Sequence, residues 1–304
     1  MVVVERVPLP GLGKGEVNAM NTKTNALRLV MAGVLAAVAG CSTSEAPEKV
    51  TLRGAPSQGL SYTREQAEKV TGWLRVKADG AESKQPLLKD EVRVFDDEVL
   101  EVDGGRVMKL RRKNVEWTLK RQTPGEAVPV SVPRASVGKT IVLRRTDLGT
   151  EYEGGDGIPE DELRANLLGG LEAIVSPPAE PVAPGAEWPI DGERLVDLFG
   201  GEEGGRALKI REASGTGRLV SVEAGRLANV RVQLSLLGSF RSLLDVDVKM
   251  DLTADLQFDL AAGRPLSFKA HADGVISGEV DRKGKPASYA GEFTFDAKAQ
   301  NRYR

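Results

Sequence analysis

From Val246 to Leu260 the chain alternates without an error. Val246, Val248, Met250, Leu252, Ala254, Leu256, Phe258 and Leu260 fall on one face, with Asp247, Lys249, Asp251, Thr253, Asp255, Gln257 and Asp259 on the other. A helix would scatter the two sets around its circumference, whereas a strand separates them. Fifteen residues at about 3.3 Å each reach roughly 50 Å, beyond the ~17–20 Å of an ordinary strand, so a bend or bulge is expected inside. The same period dominates from about Thr51 onward. Long alternating strands with one wet face imply a mainly β fold, a long curved antiparallel sheet or an open barrel.

A second regularity lies between such runs. The pattern apolar-x-x-Gly-Arg-x-x-x-apolar occurs over residues 102–110, 222–230 and 260–268. Gly105, Gly225 and Gly263 stand where a three- to five-residue hairpin loop needs positive φ, so Arg106, Arg226 and Arg264 read as turn punctuation, not as catalysts. The first two copies align without gaps at an offset of 120 residues, an indication of two related β halves.

Helix is expected in two short places. Pro159 and the acids Glu160, Asp161 and Glu162 open a run with Leu163, Leu167, Leu171 and Ile174 at helical spacing, stopped by Ser176-Pro177-Pro178. A shorter candidate covers Glu193–Phe199 before Gly200-Gly201. The Pro-rich stretch 177–184 is the best internal boundary, dividing a first half, 51–176, from a second, 177–304.

The first fifty residues carry the strongest motif. Lys23 and Arg28 precede an uncharged run of twelve residues, Leu29–Gly40. Twelve is too short for a membrane span, which needs about 20, but suits the apolar part of a secretory signal. The run ends Val38-Ala39-Gly40-Cys41. That ending resembles the lipobox of bacterial lipoproteins, and the resemblance implies cleavage before Cys41 and lipid on its thiol. Residues 20–40 are then the signal peptide and 41–50, polar and without periodicity, a lipidated tether. Ser42 stands where an Asp would favour inner-membrane retention, so the resemblance points to the outer membrane, facing the periplasm. Residues 1–19 contain Glu5, Pro8, Pro10 and Glu16, which do not belong in a signal peptide. Lys14-Gly15-Glu16-Val17 back-translates to a purine-rich run like a ribosome-binding site, so Met20 is the expected start.

Composition then excludes several chemistries. The formal net charge is -2, with one Cys and one His. Removing the first forty residues leaves 264, with 38 basic against 42 acidic. Such a balance argues against a nucleic-acid partner. One Cys and one His give neither a disulfide framework nor a Cys-cluster or multi-His metal site, and no cofactor is indicated. Ser136-Val-Gly138-Lys139-Thr140 fails as a phosphate loop, because Pro133 replaces the first glycine and a strand-like run follows. Aligned on Gly157, a calcium loop would need ligands at Tyr152, Gly154 and Leu163, so helix capping explains the nearby acids better. The acids Asp245, Asp247, Asp251, Asp255 and Asp259 read as a solvated face paired with basic neighbours. The basic run Lys109–Lys113 reads likewise. His271 falls outside with Lys269 and Asp273, and no second His exists for a Ser-His-Asp site.

Pro184-Gly-Ala-Glu-Trp188 and Asp259-Leu-Ala-Ala-Gly-Arg264 are loosely similar to motifs of uncharacterised β-rich secreted lipoproteins, over about residues 90–280. That resemblance implies no activity. The expectation is a membrane-anchored cell-envelope lipoprotein, a non-enzymatic binding or assembly module, with Cys41 as lipidation site and no catalytic, cofactor or metal residues. The alternative is a carrier of lipid or another apolar ligand. It would use a half-open barrel similar to the lipoprotein-carrier fold, with the Val246–Leu260 apolar face lining a cavity and a helix as lid. A hydrolase based on paired carboxylates is a third class.

Overall fold

The computed structural model describes residues 48–304 apart from 53, 55, 123–125, 147–148, 167, 169–176, 191, 193–207, 241–245 and 282–285. Twelve strands form one antiparallel sheet: β1 (Ser61–Ala78), β2 (Ala81–Asp103), β3 (Arg106–Gln122), β4 (Val130–Ser131), β5 (Thr140–Thr146), β6 (Gly149–Gly154), β7 (Glu187–Pro189), β8 (Leu208–Glu223), β9 (Leu227–Phe240), β10 (Val246–Asp259), β11 (Arg264–Asp281) and β12 (Pro286–Tyr303). The short helix α1 covers Glu160–Arg164.

The sheet order is β6-β5-β3-β2-β1-β12-β11-β10-β9-β8-β7, with β4 on β3. The chain therefore starts in the middle, meanders to one edge, crosses to the other and meanders back. The first and last strands close the seam, in register from Tyr62↔Tyr303 to Ala78↔Ala287. Among the described residues β6 and β7 do not pair, so the sheet stays open. Ahead of β1, Val50 makes a two-way backbone bridge with Val182, at 2.8 and 2.9 Å.

β10 follows the alternation expected of Val246–Leu260, with a register shift against β11 between Gln257 and Phe258. Its even-numbered residues are buried with Ile210, Leu219, Val230, Leu234, Phe268 and Trp188 in the main core, or with Leu74, Ile276 and Tyr289 in a second cluster. Phe293 touches both. Each fully buried side chain of this size contributes about 1.5–3 kcal/mol. Trp188 lies on Gly217, where an added Cβ would come within 2.4 Å of the indole, so only glycine fits beneath it.

The Gly-Arg repeats are all turns at one end of the sheet. Gly105, Gly225 and Gly263 have φ of 76°, 64° and 61°. The first turn is tighter than expected, with only Gly104 and Gly105 between β2 and β3. The resemblance between halves ends there. The inner face of the second half is apolar. That of the first carries Arg64, Glu91, Asp97, Arg112 and Asn114, all buried, beside Phe95, Val99 and Leu110.

α1 ends at Arg164, and of the run expected to continue to Ile174, residues 167 and 169–174 lie outside the described residues. In a continued helix the Asn166 N–H would bond to the Glu162 carbonyl. Instead it bonds to Leu163 O at 2.9 Å, and the Asn166 side chain takes Glu162 O at 2.8 Å. The second helix candidate, Glu193–Phe199, lies outside the described residues, as do Cys41, the signal segment and most of the tether.

Candidate functional site

The outer face of the sheet is charged, and strand pairing decides which charges meet. Asp247 pairs with Arg211 at 2.7 Å and Asp255 with Arg231 at 2.8 Å, while Ser235 Oγ donates to Asp251 at 2.5 Å. The basic neighbours expected from the sequence are present for Asp247 and Asp255 but not for Asp251, and Asp245 is outside the described residues. Asp259 departs from the pattern because it is buried. Its Oδ1 accepts the Ala262 N–H at 3.0 Å and Oδ2 lies 3.2 Å from Arg226 Nη2. The Ala262 N–H and then Arg226 hold its pKa below the usual carboxylate value, against the opposing effect of burial.

His271 is exposed, as its parity required, but it is engaged. Its Nδ1 lies 2.8 Å from Asp296 Oδ1 and its Nε2 3.7 Å from Asp273 Oδ1. The hydrogen bond to Asp296 raises its pKa above 6.5; slight burial opposes this, and the charges of Asp296 and Asp273 add to it.

Next to His271 the outer face dips into an open groove of about 600 Å³ crossing β10, β11, β12 and β1. Asp251 and Asp273 line it as direct cross-strand partners. Like charges so placed disfavour the sheet. Glu292 and Lys249 add one charge of each sign, and the Thr71 and Thr294 hydroxyls meet at 2.8 Å in its wall. Trp73 forms one side, with Lys84 Nζ 4.4 Å from its ring centroid. The Asp273 side chain is 78% exposed, so the groove is open to solvent. Among the described residues no group of three or more His, Cys, Asp or Glu is placed to hold a metal ion.

The inner face of the first half holds the other dense polar cluster, which the sequence reading missed. Arg112 bonds Asp97 through two 2.8 Å contacts, with both side chains buried and the guanidinium 4.2 Å over Phe95. The basic run 109–113 is thus split by the pleat. Arg112 points in, whereas Lys109 and Arg111 face out to Glu153 and Glu98. Glu91, also buried, accepts hydrogen bonds from Trp117 Nε1 at 2.6 Å and from Arg93 at 2.7 and 2.9 Å. Burial alone would raise the Glu91 pKa, but Arg93 and Lys89 bring it below normal. Burial likewise disfavours charged Lys89, and the Glu68 and Glu91 carboxylates outweigh it to raise the pKa.

Above this cluster the turn at 135–138 and α1 are clasped together. The Glu162 carboxylate accepts the Ala135 and Ser136 N–H groups, both at 3.0 Å, and Arg93 Nη1 donates to Ala165 O at 2.8 Å. The acids of α1 therefore do more than favour a helix terminus. Thr140 opens a strand, as expected of a segment that is no phosphate loop. The alternation of Lys89, Glu91, Arg93 and Asp97 was the available signal, but it looks like that of a solvated face until the covering turn is known.

Two features bear on the carrier alternative. The Val246–Phe258 inner face is packed core, at most 7% exposed at any even-numbered residue, and α1 lies over the first half. Beside the core an apolar pocket of about 170 Å³ is lined by Leu52, Pro177, Val230, Leu256, Phe258 and Pro265. Ligand pockets commonly occupy about 300–1,000 Å³.

No family of known proteins matches the chain, and no curated protein does either. Among solved structures it is similar to OmpT (in-vitro folded), an outer membrane protein of Vibrio cholerae (trimer form). The match has 10% identity and a TM-score of 0.18, over 81% of this chain and 100% of that one, too distant to carry an argument. Asp247, Asp251, Asp255, Lys269, His271 and Asp273 are exposed on the outer face, where a membrane-spanning barrel would present apolar side chains to lipid. No helix among the described residues is long and apolar enough to cross a membrane.

Proposed function

We propose that this chain is a lipid-anchored lipoprotein of the bacterial cell envelope, held at the periplasmic face of the outer membrane, and that it works as a non-enzymatic binding or assembly module. The observation that carries this reading is the uncharged run Leu29–Gly40 ending in Val38-Ala39-Gly40-Cys41. One acyl chain binds a bilayer reversibly and two or more hold a protein there, since each buried CH₂ contributes about 0.8 kcal/mol. A charged outer face supports an aqueous domain on such an anchor. The groove at Trp73 offers that domain a recognition surface of mixed charge, with Asp251, Asp273, Glu292 and Lys249 along it and Lys84 and Arg75 over the indole.

The test is Cys41→Ala in the native host. The variant is expected as unprocessed or soluble protein that takes up no labelled fatty acid. Unchanged membrane fractionation would refute lipid anchoring. The carrier reading rests on the apolar pocket beside Leu52 and Phe258. Native mass spectrometry of gently purified protein separates the two, because a carrier must bring a stoichiometric lipid beyond its own anchor.

A further inference from the structure

We propose that the first half of the sheet contains an internal hydration site, enclosed between β3, the turn at 135–138 and the end of α1. Asn114, Ser136 and Asn166 are each fully buried. Asn114 Oδ1 and Nδ2, Ser136 Oγ and Asn166 Oδ1 have no hydrogen-bond partner within the protein. Such groups are rare singly, and here the residues that carry them are joined through main-chain bonds and Glu162. The Asn114 N–H bonds to Lys139 O at 3.1 Å, and the Gly138 N–H bonds to Asn114 O at 2.7 Å. The Lys139 N–H closes the turn onto Ser136 O at 3.0 Å. Glu162 grips the same turn through the Ser136 N–H, and Asn166 Nδ2 donates to Glu162 O.

The chemistry of the set selects its occupant. It offers two amide oxygens as acceptors, one amide NH₂ as donor and a hydroxyl that serves as either. A cation is disfavoured. The nearby Glu162 carboxylate already accepts two N–H groups, and Arg134 Nη1 stands 3.8 Å from it. An anion would meet the same carboxylate and two amide oxygens. Water donates twice and accepts twice, which fits a mixed set of this kind, and buried water commonly fills this role.

The sign of a stability change tests the proposal. An orphaned buried polar group costs its full desolvation, so replacing it by an apolar one is neutral or stabilising; a group bonded to trapped water loses a bond instead. Ser136→Ala in the full chain is therefore expected to lower the Tm by roughly 2–4 °C. A Tm that is unchanged or higher would overturn the site. Asn114→Leu should act in the same direction, but its bulk could prevent folding. An independent measurement is the transfer of magnetisation from long-lived water to the Ser136 and Gly138 amide protons. Cross-peaks of slow-tumbling sign are expected, and their absence would count against bound water. Calcium chloride should leave the Tm of the wild-type chain unchanged, and a clear rise traced to Ser136 would replace water by a cation.

Discussion

Ala224 holds φ at 49° in the turn between β8 and β9, in the left-handed region where a Cβ is unfavourable. The Gly104-Gly105 turn between β2 and β3 meets the same demand without that cost. Ala224→Gly is expected to raise stability by about 0.5–1 kcal/mol, the relief of strain exceeding the added freedom of the unfolded chain. A higher urea midpoint at unchanged slope would show it. His271 makes a second residue-scale prediction, easily read because it is the sole histidine. Its pKa is raised in the fold by Asp296, so the bond contributes in full below about 6.5 and is lost as pH rises through the folded value. NMR titration should place the midpoint above 6.5, and Asp296→Asn should return it towards 6.5. The sequence showed that His271 faces water. It could not show the partner, because Asp296 reaches it only through the register of β11 on β12.

The elements differ in what fixes them. β10 was legible because its alternation is pure and its inner face meets a dry core. The β1–β2 hairpin was equally legible in principle: Asp79-Gly80, with φ of 53° and 78°, is a common two-residue hairpin signal between alternating runs. The end of α1 at Arg164 was not legible, because leucine spacing reports a potential helical face, while the side chain of Asn166 competes for the carbonyl that would continue the helix there. β2 and β3 were hardest, since their buried charges imitate an exposed surface. The Arg112–Asp97 pair provides the test. Asp97→Ala leaves a buried guanidinium without its carboxylate, and a loss of about 3–5 kcal/mol is expected in denaturant unfolding. The double replacement Asp97→Leu with Arg112→Met should recover most of that loss. Gly217→Ala pushes a methyl into Trp188 and should destabilise β7 on β8, visible as a changed near-UV signal of that indole.

At the scale of the molecule, the two meanders share one sheet through the seam of β1 and β12. Thr71 and Thr294, whose hydroxyls bond there, are 223 residues apart in sequence. Closing so distant a pairing makes folding slow, and it ties the halves into one cooperative unit. Variants that retain only Trp117 or only Trp188 as fluorophore should therefore unfold at the same denaturant midpoint; two midpoints would show independent halves. The Val50–Val182 bridge carries a mechanical consequence. If Cys41 bears lipid, as proposed, a pull reaching Val50 from the N-terminal side would first load two backbone hydrogen bonds and the Leu52 side chain wedged in the core. The strain would run into the crossover that joins the two edges of the sheet, and the long seam would be spared until that clip had given way.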